Sequence, residues 1–201
     1  VDYLTWTFFY RRLVRNPSYY HLEGDAGPEA VGAFLSALVE TTAADLEGAG
    51  CVEVGADGLA LAPTALGQVA ATYYLSWQTA AAFHGELGAV DGELPVELDT
   101  PALLRVLCDA TEFAELPVRH NEDQVNAALA AGLPLAVDDL AMDSPHVKAH
   151  LLLQAHMSRV ELPMSDYVTD TKTVLDQALR VLQAMVDISA DAGSAANALG
   201  A

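Results

Sequence analysis

Positive charge is scarce in this sequence of 201 residues, which holds 9 Lys and Arg against 28 Asp and Glu and has a net charge of -19. Such a chain does not bind nucleic acid by general electrostatic attraction, because phosphates require clustered cations. The charge imbalance is local. Residues 21–143 carry two arginines and 21 acidic residues, whereas the net charge is +2 over residues 1–20 and -2 over residues 144–201. The two ends can therefore meet a polynucleotide only if this acidic middle, which is usually solvated surface, faces elsewhere.

Cysteine is scarce as well, and several motifs of catalytic sites are missing. Cys51 and Cys108 are too few for a disulfide framework, so we expect two core thiols in a reducing compartment. No GxxxxGK[ST] phosphate loop and no GxSxG elbow occurs, which excludes an ATPase or a hydrolase of that type on this chain. The longest apolar run, residues 66–83, contains Gln, Ser and Thr and indicates a buried helix rather than a membrane span. No signal peptide is visible, and Val1 in place of Met leads us to expect a segment cut from a longer chain.

A possible metal site rests on one pair of histidines. His146 and His150 stand at i and i+4, a spacing that places two imidazoles on one helix face. The sequence offers no evident third ligand and no glutamate of the HExxH type between them. Histidines that face solvent or the edge of a core are the alternative, so we predict no metal.

The first 64 residues show two helical patterns followed by a hairpin. A recurrence of apolar residues over 2–15 ends at Asn16-Pro17, and a second helix begins at Pro28 and ends near Gly48. Two short alternating runs then surround the turn Ala56-Asp57-Gly58. Helix, helix and hairpin in this order indicate the closing half of a winged helix.

From Pro63 onward every pattern is helical. Residues 66–85 are expected to form one long helix, and residues 85–99 a Gly-rich acidic loop. Further helices are predicted with Thr100, Asn121, Ser144 and Asp170 as their caps. The fold class we predict is therefore mainly α: a winged-helix end with a small β-hairpin, followed by a helical bundle of about five helices. Small residues over 192–201 predict a disordered or frayed tail.

The helix that contains "DTKTVLDQALRVLQAM" has a narrow polar strip. At 100° per residue, five residues lie within about 80° of one another on this helix: Thr173, Gln177, Arg180, Ala184 and Asp187. Apolar side chains fill the rest of the circumference. Arg180 is the sole cation of the strip, and an exposed ion pair with Asp176 is one reading of it. In the other reading Arg180 offers a flat guanidinium to a polynucleotide strand, and Gln and Thr add sequence-tolerant hydrogen bonds.

Several long stretches resemble one family of proteins. "DYLTWTFFYRRLVRNPSYY" is similar to the end of the winged helix in Ski-two-like superfamily-two helicases. "LPVRHNED", "DSPHVKAHLLLQAHMSR" and "TDTKTVLDQALRVLQAMVD" resemble the helical bundle of their SEC-sixty-three homology unit. Residues 143–191 are most similar to cointegrator-type members and next to spliceosomal snRNP members. The resemblance implies three regions: 1–64, the C-terminal part of a winged-helix domain; 65–191, the helical bundle; and 192–201, the tail.

In this family two RecA-like domains bind ATP and Mg and drive 3′-to-5′ unwinding, while one bundle helix lies across the threaded strand as a ratchet. The resemblance implies that the helix from Thr171 to about Ser189 is this ratchet. It favours strand contact by four side chains, which are Thr173, Gln177, Arg180 and, at the edge of the strip, Gln183. No cofactor is expected on this chain itself, and no catalytic residue.

The family also implies partners and roles. The partners are a single strand of nucleic acid, the RecA-like domains of the same protein and subunits of a cointegrator-type or spliceosomal complex, with no membrane. The roles are DNA repair, ribosome quality control and RNA processing, in the nucleus and cytoplasm. The alternative is a protein-docking scaffold from an inactive helicase cassette. The relatives continue beyond "DAG" into further helices and an immunoglobulin-like domain, whereas "SAANALGA" stands here, so we expect a fragment.

Overall fold

The computed structural model describes residues 1–22, 27–56, 58, 60–88 and 97–201. The predicted turn at 56–58 and the predicted acidic loop at 85–99 therefore lie partly outside the described residues. The fold class is confirmed, because the described residues are mostly helical and contain one small antiparallel sheet. No helix among them is both long and apolar enough to cross a bilayer.

The N-terminal part has its own small core. Three helices and two strands make up this part, namely α1 (Asp2–Thr5), α2 (Phe8–Arg15), α3 (Pro28–Gly48), β1 (Val52–Val54) and β2 (Leu61–Pro63), with a 3₁₀ turn at Pro17–Tyr20. Leu13, Val31 and Leu35 are buried together between α2 and α3. The strands pair antiparallel, with Glu53 opposite Ala62, as the hairpin prediction requires.

The pattern over residues 2–15 divides into two helices rather than one. The chain leaves the helical conformation after Thr5, and the Thr7 hydroxyl accepts a hydrogen bond from the backbone N–H of Tyr10 at 3.4 Å. Thr7 therefore caps α2, a role for which Ser and Thr side chains are favoured.

The C-terminal part is a bundle arranged around its longest helix. Its helices are α4 (Ala65–Tyr73), α5 (Trp77–Leu87), α6 (Thr100–Cys108), α7 (Glu122–Ala130), α8 (Pro145–Ser158), α9 (Ser165–Asp191) and α10 (Ala195–Gly200), with 3₁₀ turns at Thr111–Phe113 and Asp139–Ala141. Helix α9 contacts α4, α5, α6, α8 and α10, so it is the spine of the bundle. Its buried side chains include Val174, Ala178, Val181 and Met185.

The prediction of one helix over residues 66–85 is wrong, because the chain breaks between α4 and α5. Tyr74 adopts a left-handed conformation with φ 53°, which ends α4. The Ser76 hydroxyl then accepts from the N–H of Gln78 at 3.2 Å, and the Glu112 carboxylate accepts from the N–H of Ser76 at 2.8 Å. The start of α5 thus has partners for backbone N–H groups that a helix leaves unpaired.

The start of α9 also differs from the prediction. Asp170 was expected to cap this helix, but α9 begins at Ser165 and Asp170 lies buried inside it. A carboxylate in that position is paired with cations rather than with the first N–H groups of the helix, as described below.

The caps of two other helices correct smaller details. Asp99 caps α6, because its carboxylate accepts from the N–H of Ala102 at 2.9 Å, whereas Thr100 is the first helical residue. Asn121 precedes α7 in a left-handed conformation and its side chain makes no cap bond. Ser144 does cap α8, as predicted.

The structure differs from the expected frayed tail over 192–201. Residues 195–200 form α10, and the Ser194 hydroxyl accepts from the N–H of Asn197. The buried Asn197 side chain accepts from the N–H of Leu98 at 2.8 Å. This contact ties the last helix to the chain just before α6.

We predict opposite effects of alanine at two glycines. A Cβ at Gly67 would overlap the carbonyl oxygen of Cys51, because α4 lies directly against the chain that enters β1. Gly67→Ala should therefore lower the free energy of unfolding by about 3 kcal/mol, measured by urea denaturation. Gly85 in α5 has open space around it, so the matched Gly85→Ala should raise that free energy by about 0.5–1 kcal/mol. Equal effects of the two substitutions would contradict this packing.

Candidate nucleic-acid strip and its anchoring cluster

The four residues predicted to contact a strand lie on α9, and we refer to Thr173, Gln177, Arg180 and Gln183 as the strip. Thr173 and Gln183 are exposed, and Gln177 and Arg180 are half-buried. Gln177 is joined directly to Arg180, since its side-chain oxygen accepts from Nη2 of the guanidinium at 2.5 Å. The structure thus brings the central pair together and leaves the outer two accessible.

Arg180 has a structural task that the sequence analysis did not foresee. Its Nη1 donates to the carbonyl oxygens of Tyr73 and Tyr74 at 2.5 and 2.6 Å. These carbonyls end α4, where backbone acceptors lack partners within the helix and a cation is favoured by the helix dipole. We call this set of bonds the clasp. Among the ion pairs between described residues, none joins Arg180 to Asp176, so the structure does not support the alternative reading of Arg180 as one half of an exposed ion pair.

Helix α4 covers one half of the polar face of α9. Ala184 is fully buried, and the Tyr73 hydroxyl donates to the Asp187 carboxylate at 2.7 Å. The other half is open: Thr173 and Gln177 line a cleft of about 130 Å³. The remaining walls of this cleft come from the segment just after α6, with Glu112, Phe113, Glu115 and Leu116.

The apolar side of α9 is less completely covered than the helical wheel predicted. Leu179 is 69% exposed and Val168 is 50% exposed. The helix therefore shows solvent a second surface besides the strip.

A cluster of four charges, three of them buried, fixes α9 in place. The ammonium group of Lys148, on α8, donates to Glu122 at 2.6 Å, to Asp170 at 2.7 Å and to the carbonyl of Pro117 at 2.7 Å. Arg119 donates to the same two carboxylates, at 2.9 and 2.7 Å. We call Arg119, Glu122, Lys148 and Asp170 the anchoring cluster. It joins α7, α8 and α9 at one point, and every member has an oppositely charged partner.

A second layer of bonds surrounds the cluster. The Lys148 ammonium lies 4.7 Å from the centre of the Tyr167 ring, a distance typical of a cation–π contact. The buried Tyr167 hydroxyl donates to Asn126, and the Asn126 amide donates to the carbonyl of Met142 at 2.8 Å. These bonds extend the cluster to the segment that precedes α8.

The cluster sets the pKa values of its carboxyl groups. Burial alone would raise the pKa of Asp170, but hydrogen bonds from Arg119 and Lys148 outweigh it and lower that pKa. The same balance holds at Glu122. Burial alone would raise its pKa, but hydrogen bonds from Lys148 and Arg119 outweigh burial and lower that pKa. Both carboxylates are therefore charged at neutral pH.

Sequence reasoning missed this cluster. It took Asn121 and Asp170 as helix caps, and it assigned no role to Lys148. A signal was present, since Lys148 is the one cation within the apolar run of α8 and lies next to Ala149 and Leu151 on its buried side. A lysine on an apolar helix face is almost never fully buried unless it is paired.

The two histidines of α8 have different environments. Nδ1 of His146 is 2.8 Å from the carbonyl oxygen of Cys108, whereas Nε2 of His150 is buried without a hydrogen-bond partner. Burial lowers the pKa of His150. Within the part of the chain that the structure describes, no group of three or more His, Cys, Asp or Glu could hold a metal ion.

The geometry defines a class of protein: a helical bundle, joined to the end of a winged helix, that holds one long helix rigidly with an accessible polar strip. Sequence comparison agrees with this class. A profile of the Sec63 Brl domain matches residues 63–201, and a profile of a winged helix-turn-helix domain of the SNRNP200 type matches residues 1–56. The chain therefore belongs to the Sec63 Brl domain family, and this confirms the resemblance described above.

The curated relatives are much longer proteins. Human activating signal cointegrator 1 complex subunit 3 is 51% identical over 96% of this chain, and the ATP-dependent RNA helicase DExH14 of Arabidopsis thaliana is 47% identical over the same share. The human U5 small nuclear ribonucleoprotein 200 kDa helicase is 38% identical over the whole chain. The chain spans 8% of the length of the first two and 9% of the third.

Removing the buried cation should unfold the bundle. Lys148→Met keeps most of the volume of the side chain but leaves two buried carboxylates with only Arg119. We expect the free energy of unfolding, measured by urea denaturation, to fall by about 3–5 kcal/mol. The matched Lys172→Met, at an exposed position of α9, should change it by less than about 0.5 kcal/mol. A loss of less than about 1 kcal/mol at Lys148 would mean that the cluster behaves like a surface ion pair.

The lowered pKa values of Asp170 and Glu122 predict a loss of stability in acid. Because these groups bind protons more weakly when folded, their contribution is complete above their ordinary pKa values of 3.8 and 4.5 and is lost as the pH falls. The urea midpoint should therefore drop as the pH falls below about 5. In Asp170→Asn this drop should be smaller than in the exposed control Asp138→Asn. Equal drops in the two variants would exclude Asp170 as a source of the acid sensitivity.

Proposed function

We propose that this chain is a non-catalytic accessory segment of an ATP-dependent 3′-to-5′ nucleic-acid helicase, in which the strip on α9 contacts the translocating strand. The observation that carries the proposal is a polar row, in which Thr173 is exposed and Gln177 and Arg180 are half-buried, on a helix that buried ion pairs hold in one position. A ratchet must resist the pull of a moving strand, and a helix fixed by ion pairs on its inner side meets that need. The relatives named as helicases support the same reading.

The strip retains groups that can bind a strand. A guanidinium has five N–H groups in one plane, and the clasp and Gln177 account for three of the bonds it can donate. The remaining donors and the flat face suit a phosphate or the surface of a base. Thr173 and Gln183 offer a hydroxyl and an amide, which bind without regard to sequence.

The charge distribution limits how this contact works. One cation on the strip cannot hold a polyanion by itself in a chain with net charge -19. We infer that the strip guides a strand that other parts of the protein grip, and that ATP and Mg bind RecA-like domains outside this chain. The contact at the strip then sets the position and direction of the strand and adds little to the affinity with which the whole protein binds it.

The wider roles follow from the relatives and remain part of the proposal. By their names, relatives belong to a cointegrator complex and to a small nuclear ribonucleoprotein. We propose subunits of such a complex as partners, DNA repair, ribosome quality control or RNA processing as roles, and the nucleus and cytoplasm as locations.

A second candidate function is a protein-docking scaffold from an inactive cassette. The clasp favours it, because Arg180 holds α4 in place whether or not a strand is present. The exposed Leu179 and Val168 would suit a protein partner better than a polyanion.

Unwinding by the complete helicase polypeptide that carries this segment distinguishes the two candidates. The double variant Thr173→Ala, Gln183→Ala removes two exposed hydrogen-bonding groups, and we expect unwinding of a duplex with a 3′ overhang to slow about tenfold. ATP hydrolysis should persist, because the strip is not part of the ATP site.

Two further variants serve as controls for that experiment. Thr42→Ala removes an exposed hydroxyl from α3, which donates to the carbonyl four residues earlier as the Thr173 hydroxyl does, and should leave unwinding unchanged. Arg180→Ala should also slow unwinding, but its melting temperature must be measured in parallel because the variant opens the clasp. Unchanged unwinding in both the double variant and Arg180→Ala would support the scaffold.

A further inference from the structure

Tyr74 lies where the backbone does not favour a tyrosine. It ends α4 with φ 53° and ψ 44°, in the left-handed region that glycine and asparagine adopt at helix ends with less strain. The clasp holds this conformation, since Arg180 donates to the carbonyl of Tyr74 itself and to that of Tyr73 just before it. A tyrosine here therefore needs a reason beyond the geometry of the helix end.

Packing does not supply that reason. The Tyr74 side chain is 84% exposed, so its ring buries little apolar area. Its neighbour Tyr73 differs, because the Tyr73 hydroxyl donates to Asp187 and ties α4 to α9. The fold uses the side chain of Tyr73 but only the backbone of Tyr74.

The position of Tyr74 connects it with the strip. Its carbonyl oxygen is 2.6 Å from Nη1 of Arg180, the same side chain that Gln177 contacts. An exposed aromatic ring is thus attached to a backbone that is bonded directly to the centre of the strip. Aromatic rings beside an arginine are the usual platform for bases of a single strand, because every base has a face that stacks.

We propose that the ring of Tyr74 is a stacking surface for one nucleobase of the strand that passes the strip. This inference rests on the proposed function and adds a residue from another helix to it. The clasp fixes the backbone of Tyr74, so the residue that carries the ring is already beside Arg180 before a strand arrives, which reduces the backbone entropy lost on binding. Stacking of this kind is tolerant of sequence and suits a strand that moves.

The test measures binding of single strands to the complete helicase polypeptide that carries this segment, because other parts of that protein supply most of the affinity for the strand. Fluorescein-labelled oligo(dT) and oligo(U) of about 12 nucleotides are titrated by anisotropy at about 20 mM salt. Tyr74→Asn keeps a residue that tolerates the left-handed conformation but removes the ring, and we expect about tenfold weaker binding. Tyr74→Phe keeps the ring and should bind within about twofold of the original chain.

Two controls separate stacking from other effects. Tyr3→Asn removes an aromatic side chain that is 80% exposed but lies in α1, and it should leave affinity unchanged. The melting temperature of Tyr74→Asn should not fall, because asparagine relieves backbone strain. A loss of affinity with unchanged or higher stability is then a binding effect.

The outcomes distinguish this inference from the proposed function. If the double variant Thr173→Ala, Gln183→Ala weakens binding and Tyr74→Asn does not, the stacking role of Tyr74 is overturned and strand contact by the strip is supported. If Tyr74→Asn weakens binding and the strip variant leaves both binding and unwinding unchanged, the strip is overturned as the contact. If neither variant changes binding or unwinding by the complete polypeptide, strand contact by both is overturned.

Discussion

Lys148 lies with its ammonium group out of reach of water, between the carboxylates of Glu122 and Asp170 and against the ring of Tyr167. A buried ion loses several kcal/mol of hydration, so it is tolerated only when partners surround it in one geometry. That requirement makes the anchoring cluster specific: α7, α8 and α9 must meet at this point, or charges remain uncompensated. The register of α9 in the bundle, and therefore the direction in which the strip faces, follows from it.

The clasp extends this order from the buried side of α9 to its polar side. Arg180 satisfies the last carbonyls of α4, and Tyr73 returns a bond to Asp187, so α4 and α9 are joined at two places. A strand-binding residue and a structural residue need not be different residues, because a guanidinium has donors in several directions. What the clasp excludes is a freely moving Arg180. Any strand contact at this residue is therefore made by a side chain that is already in position.

The sequence predicted the helix ends that depend on local chemistry and failed at those that depend on distant partners. Pro28 at the start of α3 and Ser144 before α8 were read correctly, since a ring-fixed φ and a hydroxyl cap act within a few residues. The break after Tyr73 was missed because Glu112 and Arg180 stabilise it from far along the chain. Asp170 was misread as a cap for the same reason, since its partner Lys148 is 22 residues away. Of the candidate site, helical spacing predicted that Thr173, Gln177 and Arg180 share one face of α9, but it did not predict the cluster behind that face.

The amino-acid sequence by itself determined the mainly helical fold with its hairpin, the family and the face of α9 on which the strip lies, because helical spacing and motif order are properties of the linear chain. Only the tertiary structure decided which charges are paired, that Arg180 clasps α4, and that α4 closes one half of the polar face while leaving Thr173 and Gln177 open. These features depend on distances between residues far apart in sequence, and such distances exist only once the helices have packed.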